Sequence, residues 1–169
     1  MQKLTDYRSS RELMHPEPVS IIIAKTEDGR YNPMSASWYM PTSIDPVMFV
    51  ISVGFQRYTY EALEKSREFV LCLPAHDMEK EIRFFGSESG RDMDKLKELG
   101  TATQPATHID CVLLSDASVN YECRVVSTHK TGDHMIFAAE LLASHIHAEG
   151  KPRLYLTAKG EFKGAVPAP

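Results

Sequence analysis

Runs of strand-forming residues dominate both ends of this sequence, and they limit the folds that the chain can adopt. Apolar and β-branched residues predict strands over about Val19–Lys25, Met34–Met40 and Val47–Gly54. In the last third, Val119–Val125 alternates apolar with polar residues, and a turn leads back into Met135–His147. Helical patterns are confined to the middle of the chain. Because strands and helices do not alternate, a Rossmann fold is excluded, and we expect a mainly β, antiparallel, Greek-key-like β-barrel, either closed or split, with peripheral helices.

Three more local predictions concern the segment from Pro41 to Thr59. Prolines and polar residues between Pro41 and Pro46 indicate a turn-rich connection. Val47–Gly54 is almost continuously apolar, which is typical of a central strand buried on both faces. Thr59 is suited to cap the helix that follows. In total, the patterns predict six or seven strands and two or three helices.

The composition is that of one globular domain of ordinary size. The chain has 169 residues, of which 43% are hydrophobic and 25% charged, and its formal net charge is −4. We expect a single domain over residues 1–169, with its core from about residue 18 to 164. The slightly acidic balance and the lack of long basic runs predict no nucleic-acid surface. No apolar segment is long enough to predict a membrane span.

The N-terminus and the cysteines predict a cytoplasmic location. The first twenty residues are polar and lack the apolar core of a secretory signal. Cys72, Cys111 and Cys123 are odd in number and widely spaced, which does not suit a disulfide framework and fits a reducing compartment. Cys72 and Cys123 lie inside apolar runs, so we expect them to be buried thiols.

The segment Asn32–Trp38 carries small residues at a place where a ligand could approach the backbone. It follows the hairpin-turn signal Asp28–Arg30. On a strand, period two places Ser35 and Ser37 on one face. The other face then carries Met34, Ala36 and Trp38. Small residues let a large planar ligand reach backbone N–H and C=O groups, although an ordinary half-buried strand would show the same pattern.

Two further stretches combine basic residues with a predicted helix start. Arg57 and Thr59 stand where free N–H groups and the helix dipole favour an anion. The glycine- and serine-rich segment Ser87–Lys95 meets another helix start, and its cations Arg91 and Lys95 suit a phosphate. The alternatives are a threonine cap with a solvated arginine, and a solvated loop whose cations pair with neighbouring acids.

The turn Gly132–His134 places an imidazole at the start of a strand. Near neutral pH an imidazole can donate or accept a hydrogen bond, so His134 is suited to a place near a redox cofactor or nicotinamide; an exposed turn histidine is the alternative. His145 and His147 share a strand face, but no cysteine or carboxylate has convincing ligand spacing, so we predict no metal site. Neither a nucleophile elbow nor a GxGxxG or Walker-type loop is found.

Taken together, these stretches resemble the flavin reductase-like family of FMN-binding split barrels, over about Pro18 to Gly164. The resemblance rests on an ordered set of segments, of which the Ser-Gly-Arg-Asp-x-Asp-Lys run is the most specific. The segments are Asn32–Trp38, Thr59–Glu61, Gly86–Lys95, and Glu122–Val125 followed by Gly132–His134.

This resemblance implies a homodimer that binds FMN non-covalently in a cleft near the subunit interface. Ser35 and Ser37 would hold the isoalloxazine edge and the ribityl chain. Arg57 and Thr59 would hold the phosphate, with Lys95 adding charge. The implied FMN-binding residues are Asn32, Met34, Ser35, Ala36, Ser37, Trp38, Ser52, Arg57, Thr59, Ser89, Arg91 and Lys95.

The resemblance also implies an NAD(P)H-dependent oxidoreductase of the flavin reductase type. The flavin would take hydride from NAD(P)H and pass electrons to free flavin, a ferric complex or a redox partner protein, while the protein supplies orientation and electrostatics. His134 would lie near the flavin ring or the nicotinamide. Two alternatives stay open: a flavoredoxin-like FMN electron carrier without NAD(P)H activity of its own, and a barrel that binds another ligand such as haem.

Overall fold

The computed structural model describes residues 4–165, which contain more strands than the six or seven predicted. The helices are α1 (Tyr7–Arg11), continued by a 3-10 turn (Glu12–Met14), α2 (Tyr58–Ser66), α3 (Glu79–Ser87) and α4 (Lys95–Leu99). The strands are β1 (Glu17–Pro18), β2 (Ser20–Lys25), β3 (Tyr31–Ala36), β4 (Tyr39–Ile44), β5 (Val47–Gly54), β6 (Glu68–Leu73), β7 (Thr103–Pro105), β8 (Val112–Leu114), β9 (Val119–Thr131), β10 (His134–Ile146), β11 (Arg153–Ala158) and β12 (Glu161–Ala165).

The main sheet has seven strands in the order β3-β2-β6-β9-β10-β5-β4, and its paired strands are antiparallel. Only Ser37 and Trp38 separate β3 from β4, although these strands stand at opposite ends of that order. Three Cα–Cα steps span at most about 11 Å, whereas six strand spacings in a flat sheet would span about 29 Å. The sheet must therefore curl until its edges approach. This is the predicted split barrel, but the predicted strand Met34–Met40 is interrupted at the crossing.

Two apolar clusters cover the two faces of β2. Ile21 and Ile23 are fully buried in one cluster, which also contains side chains of α3. Ile22 is fully buried in the other cluster, together with Phe69 and Phe137. Strand β2, next to the edge of the main sheet, is therefore covered on both faces. Burial of each such side chain stabilises the fold by roughly 1.5–3 kcal/mol.

Strands β4 and β5 differ from the sequence prediction. β5 has the predicted bounds, but its burial alternates: Phe49 and Ile51 belong to the core, whereas Met48 and Val50 are only half-buried. The second face is therefore only partly covered, and the prediction that both faces of this strand are buried is wrong. The last strand of the sheet, β4, occupies most of the Pro41–Pro46 segment that was predicted as a turn. An edge strand tolerates Pro41 because its outer side needs no ladder donor.

The β9–β10 ribbon brings His134 to the end of β5. Gly132 and Asp133 form the two-residue connection, and Gly132 adopts a φ of 52°, which favours glycine. His134 begins β10 and pairs with Gly54, the last residue of β5. The predicted ribbon is confirmed, and the imidazole of His134 lies at one end of the barrel.

The cysteines are free and buried, which confirms the prediction for Cys72 and Cys123. Burial raises the pKa of the Cys111 and Cys123 thiols to about 12, and it also raises the pKa of Cys72. These thiols are therefore protonated near neutral pH. Within residues 4–165, no helix has the length and apolar character that crossing a membrane requires.

Candidate functional site

A cleft of about 370 Å³ opens where β3, the end of β5, the start of α2 and the segment between α3 and α4 come together. Its volume lies in the usual range for small-molecule sites. The structure brings all of the predicted binding residues to this one cleft: Asn32, Met34, Ser35, Ala36, Ser37, Trp38, Ser52, Arg57, Thr59, Ser89, Arg91, Lys95 and His134. That these residues bind a flavin stays a prediction.

The β3 wall of the cleft is held by its own hydrogen bonds. The Ser35 hydroxyl donates to the Ile82 carbonyl at 2.7 Å and so attaches β3 to α3. The Ala36 carbonyl accepts from the Ser20 hydroxyl at 2.8 Å. Because its proton is used in the bond to α3, the Ser35 hydroxyl can accept a hydrogen bond from a ligand. It could donate one only if the bond to the Ile82 carbonyl broke. The Ser37 hydroxyl has no partner within residues 4–165, so it is the better donor to an occupant.

The start of α2 is not capped by a side chain. Arg57 is the N-cap residue, and Thr59 lies inside the helix, so the predicted threonine cap is wrong. Thr59 is instead buried, and its hydroxyl oxygen accepts a hydrogen bond from the Asn32 amide nitrogen at 2.9 Å. This leaves the Thr59 hydroxyl proton free to be donated. An uncapped helix start with free N–H groups and an exposed arginine favours an anion.

Gly90 is required by a close approach between the Ser87–Lys95 segment and β3. A Cβ on Gly90 would lie 2.0 Å from Asn32 Oδ1 and 3.1 Å from Tyr58 Cδ1. Gly90 has no positive φ, so the close contact, and not the backbone conformation, requires glycine here. The Asn32 Oδ1 atom is buried and has no hydrogen-bond partner among the described residues. An unpaired buried oxygen is costly, so this wall is incomplete without a donor.

Lys95 is a buried cation in the wall of the cleft. Its side chain is 3% exposed, and its Nζ donates to the carbonyls of Phe85 at 3.2 Å and Glu88 at 3.3 Å. Burial lowers the pKa of Lys95 to about 8, with a further lowering by the Arg57 charge. The alternative in which Lys95 pairs with a neighbouring acid is not seen in the described part of the chain. Because a buried charge is costly without a counter-charge, an incoming anion would be stabilised here.

Arg91 lies beside the cleft but is already neutralised. Its guanidinium forms an ion pair with Glu61 and donates to the Gln56 carbonyl at 3.2 Å. It also lies 5.2 Å from the centre of the Tyr58 ring. These contacts fasten the loop to α2. Arg91 thus adds less net charge to the cleft than the sequence pattern suggested, since Glu61 cancels it.

His134 and Trp38 stand together at the cleft. The centres of their rings are 4.8 Å apart, and Trp38 is 43% exposed. His134 Nδ1 lies 2.6 Å from a carboxylate oxygen of Asp133, and this hydrogen bond lowers the pKa of Asp133. Because Nδ1 is engaged, Nε2 is the nitrogen left for a ligand. It lies beside Gly54, where an added Cβ would be only 3.4 Å away.

The cleft also contains residues that the sequence did not single out. Arg11, from the N-terminal helix α1, is one of them. No local pattern marks Arg11, because its role depends on where α1 lies in space. The lining also includes Val53, Gly54, Gln56, Tyr58 and Phe85, which were not predicted, and it includes Gly86, Ser87, Glu88 and Gly90 from the Gly86–Lys95 segment named above. Most of these residues are sequence neighbours of the predicted set. The predicted end of β5 and the predicted start of α2 could therefore have identified them.

Comparison with known proteins assigns the chain to a family. The family described as flavin reductase like domain matches residues 11–165. The chain belongs to the flavin reductase-like family. The family match begins at Arg11, so it includes the cleft residue that the sequence patterns missed.

Three similar proteins illustrate this membership. The NADH-dependent flavin reductase StyB of Pseudomonas fluorescens is 27% identical over 148 residues, which cover 86% of this chain and 81% of StyB. An FMN-binding protein from Thermus thermophilus superposes with a TM-score of 0.81 at 24% identity, covering 100% of this chain and 97% of that one. Flavoredoxin from Methanosarcina acetivorans superposes with a TM-score of 0.84 at 22% identity, covering 100% and 94%. The two structures, at these identities, establish the fold.

Proposed function

We propose that this member of the flavin reductase-like family is an FMN-dependent oxidoreductase that takes electrons from NAD(P)H and passes them to an acceptor. The observation that carries the proposal is Lys95, a buried cation without an acidic partner among the described residues, in the same cleft as the uncapped start of α2. Such a pair of features suits a phosphate group. The FMN-binding and NADH-dependent proteins among the similar chains support the same assignment.

The residues present fit a flavin mononucleotide. Arg57, Lys95 and the Thr59 hydroxyl proton would hold the phosphate, with the first N–H groups of α2. The small side chains Ala36 and Ser37 leave room for a planar ring against the β3 backbone. When bound, FMN supplies the hydride and electron chemistry. The chain supplies charge, hydrogen bonds and orientation.

His134 is the residue that we assign to the electron donor. Its Nδ1 is held by Asp133, so the ring is fixed in direction and Nε2 is available. Trp38, in contact with the same ring, adds a partly exposed aromatic surface. Together they can orient a nicotinamide over the cleft, which is a positioning role and requires no proton transfer.

We also propose that the protein is a homodimer with the cleft near the subunit interface. Several apolar side chains on or near β4 are exposed: Met40 at 58%, Ile44 at 91% and Val47 at 40%. β4 is the last strand of the main sheet, so no further strand of the described chain pairs with its outer edge. Such a cluster is unusual on a monomer and suits an interface. Trp38, just before β4, joins this surface to the cleft.

The proposed function is tested by absorbance and by rapid reduction. We expect the purified protein to bind FMN, either as isolated or after FMN is added, and to release FMN on heating. Mixed anaerobically with NADH or NADPH, the bound flavin should bleach in a stopped-flow instrument faster than free FMN does without protein. Failure to bind FMN would contradict the proposal. FMN binding without reduction by either donor would contradict the reductase activity and identify the electron-carrier alternative.

A further inference from the structure

Four cationic side chains line the cleft, and Arg11 is set apart from the other three. Arg57 and Lys95 stand near the uncapped start of α2, and Arg91 is paired with Glu61. Arg11 is separate, because it comes from the N-terminal segment and no ion pair or hydrogen bond of its side chain is formed within residues 4–165. Once a flavin phosphate occupies the α2 end, Arg11 is therefore the remaining uncompensated cation of the cleft.

Arg11 lies on a helix that buries none of its residues. Arg11 itself is exposed although it lines the cleft. The helix begins at its Asp6 cap, whose carboxylate accepts from the Ser9 N–H at 2.8 Å. An exposed cation at the edge of a cleft is accessible to a ligand that arrives from solvent. This position suits the second ligand of the reaction.

We propose that Arg11 binds a phosphate group of the pyridine dinucleotide donor and thereby sets the affinity for NAD(P)H. The inference rests on the proposed function, because it concerns the electron donor of the same cleft. A guanidinium presents a planar fork of donors that matches a phosphate, and an exposed one can adjust to it. Two phosphate sources share this chemistry: the pyrophosphate, present in both NADH and NADPH, and the 2′-phosphate, present in NADPH alone.

The test compares Arg11→Ala with Arg8→Ala in the FMN-loaded protein. Arg8 is the matched control, because it lies on the same exposed helix, carries the same charge and does not line the cleft. NAD⁺ and NADP⁺ are titrated calorimetrically into the oxidised protein at low salt, and KM for NADH and NADPH is measured beside it. We expect Arg11→Ala to weaken dinucleotide binding by about five- to tenfold, and Arg8→Ala to leave it unchanged. Arg11→Lys should retain part of the affinity.

The pattern of losses identifies the phosphate. Equal weakening of NAD⁺ and NADP⁺ binding assigns Arg11 to the pyrophosphate, whereas weakening of NADP⁺ alone assigns it to the 2′-phosphate. Unchanged dinucleotide affinity, or loss of FMN affinity instead, would overturn the inference while the proposed function stands. A wild-type protein that neither binds a dinucleotide nor is reduced by one would contradict the donor step itself, and that outcome is visible before any variant is made.

Discussion

Gly90 approaches Asn32 so closely that no side chain fits between them. An added Cβ would lie 2.0 Å from Asn32 Oδ1 and 2.8 Å from Asn32 Cγ. Asn32 cannot move freely, because it is 4% exposed and its amide nitrogen donates to the Thr59 hydroxyl at 2.9 Å. The contact therefore joins β3, α2 and the Ser87–Lys95 segment at the cleft.

We expect Gly90→Ala to lower the free energy of unfolding by about 1–3 kcal/mol, the usual cost of overpacking. FMN binding should weaken as well, because the loop or Asn32 must shift. Urea denaturation and FMN titration measure the two effects. Gly86→Ala is the control for the stability measurement alone, since its Cβ would meet Ser35 Cβ at an ordinary 3.5 Å but Gly86 itself lines the cleft. Equal stability of both variants would show that Asn32 moves without cost.

The chemistry-bearing stretches could be predicted from sequence because their signals are local. A run of serine and glycine beside Arg91 and Lys95, or hydroxyl residues at Ser35 and Ser37, is visible within a few positions. The fold class followed similarly from strand periodicity and from the confinement of helices to the middle. These features depend on near neighbours, so no tertiary structure was needed to see them.

Contacts between distant segments could not be predicted. Glu61 cancels the charge of Arg91, although the two residues are thirty positions apart in the sequence. The Ile82 carbonyl accepts a hydrogen bond from the Ser35 hydroxyl across forty-seven positions. Strand β4 was missed because Pro41 normally opposes a strand, and only its place at the sheet edge makes it acceptable. Arg11 has no local pattern, since its importance arises when α1 comes to lie at the cleft.

The lowered pKa of Lys95 predicts that FMN affinity depends on pH. Without ligand, the Lys95 pKa is about 8, lowered mainly by burial, so raising the pH from 7 to 9 removes the charge that a phosphate needs. We expect the Kd for FMN to rise over this range in titrations of the flavin-free protein. Riboflavin is the control ligand, because it has no phosphate and its affinity should change little.

Lys95→Ala should remove this dependence and weaken FMN binding at pH 7 by about 1–3 kcal/mol, the cost of a lost charged hydrogen bond. Lys97→Ala, an exposed lysine on the same helix, is the matched control. An unchanged Kd in Lys95→Ala would remove Lys95 from the phosphate site. A pH dependence that persists in this variant would have to come from another group.

His134→Ala should slow flavin reduction more than it weakens FMN binding. The imidazole contacts Trp38 and is held by Asp133, so its loss disturbs the orientation of the donor and leaves the phosphate contacts in place. Misplacing a reactant costs on the order of 10²-fold in rate. Stopped-flow reduction and FMN titration provide the comparison, with Lys130→Ala in the same ribbon as a control. Equal losses of rate and affinity would contradict a role toward the donor.

Ile44→Glu should disrupt the proposed homodimer. Ile44 is 91% exposed at the end of β4, so the substitution should not affect the fold of one chain, yet a carboxylate in an apolar interface is costly. Light scattering after size-exclusion chromatography should give twice the chain mass for the wild type and a shift toward the single-chain mass for the variant. Glu64→Gln, on exposed α2 surface, is the control. A monomeric wild type would refute the dimer.

Glu122 predicts a loss of stability in acid that is independent of the cleft. Its fully buried carboxylate accepts from the Thr107 and His108 N–H groups at 2.9 and 2.7 Å, and His145 Nε2 lies 2.6 Å away. Burial raises the pKa of Glu122, but these hydrogen bonds outweigh it and lower the pKa to about 2. The ionised form thus stabilises the fold at neutral pH. That contribution is complete above about pH 4.5 and is lost as the pH falls through 2.

Glu122→Gln should therefore be less stable than the wild type by about 1–3 kcal/mol at pH 7, because a neutral amide presents one acceptor where the carboxylate has two. Urea denaturation at pH 7 and at pH 3 measures the difference, which should shrink at pH 3 because Glu122 is then protonated in the unfolded chain while it is still largely ionised in the folded one. Glu64→Gln, exposed on α2, should match the wild type at both pH values. A difference that stays constant between pH 7 and pH 3 would show that packing, and not ionisation, sets the contribution of Glu122.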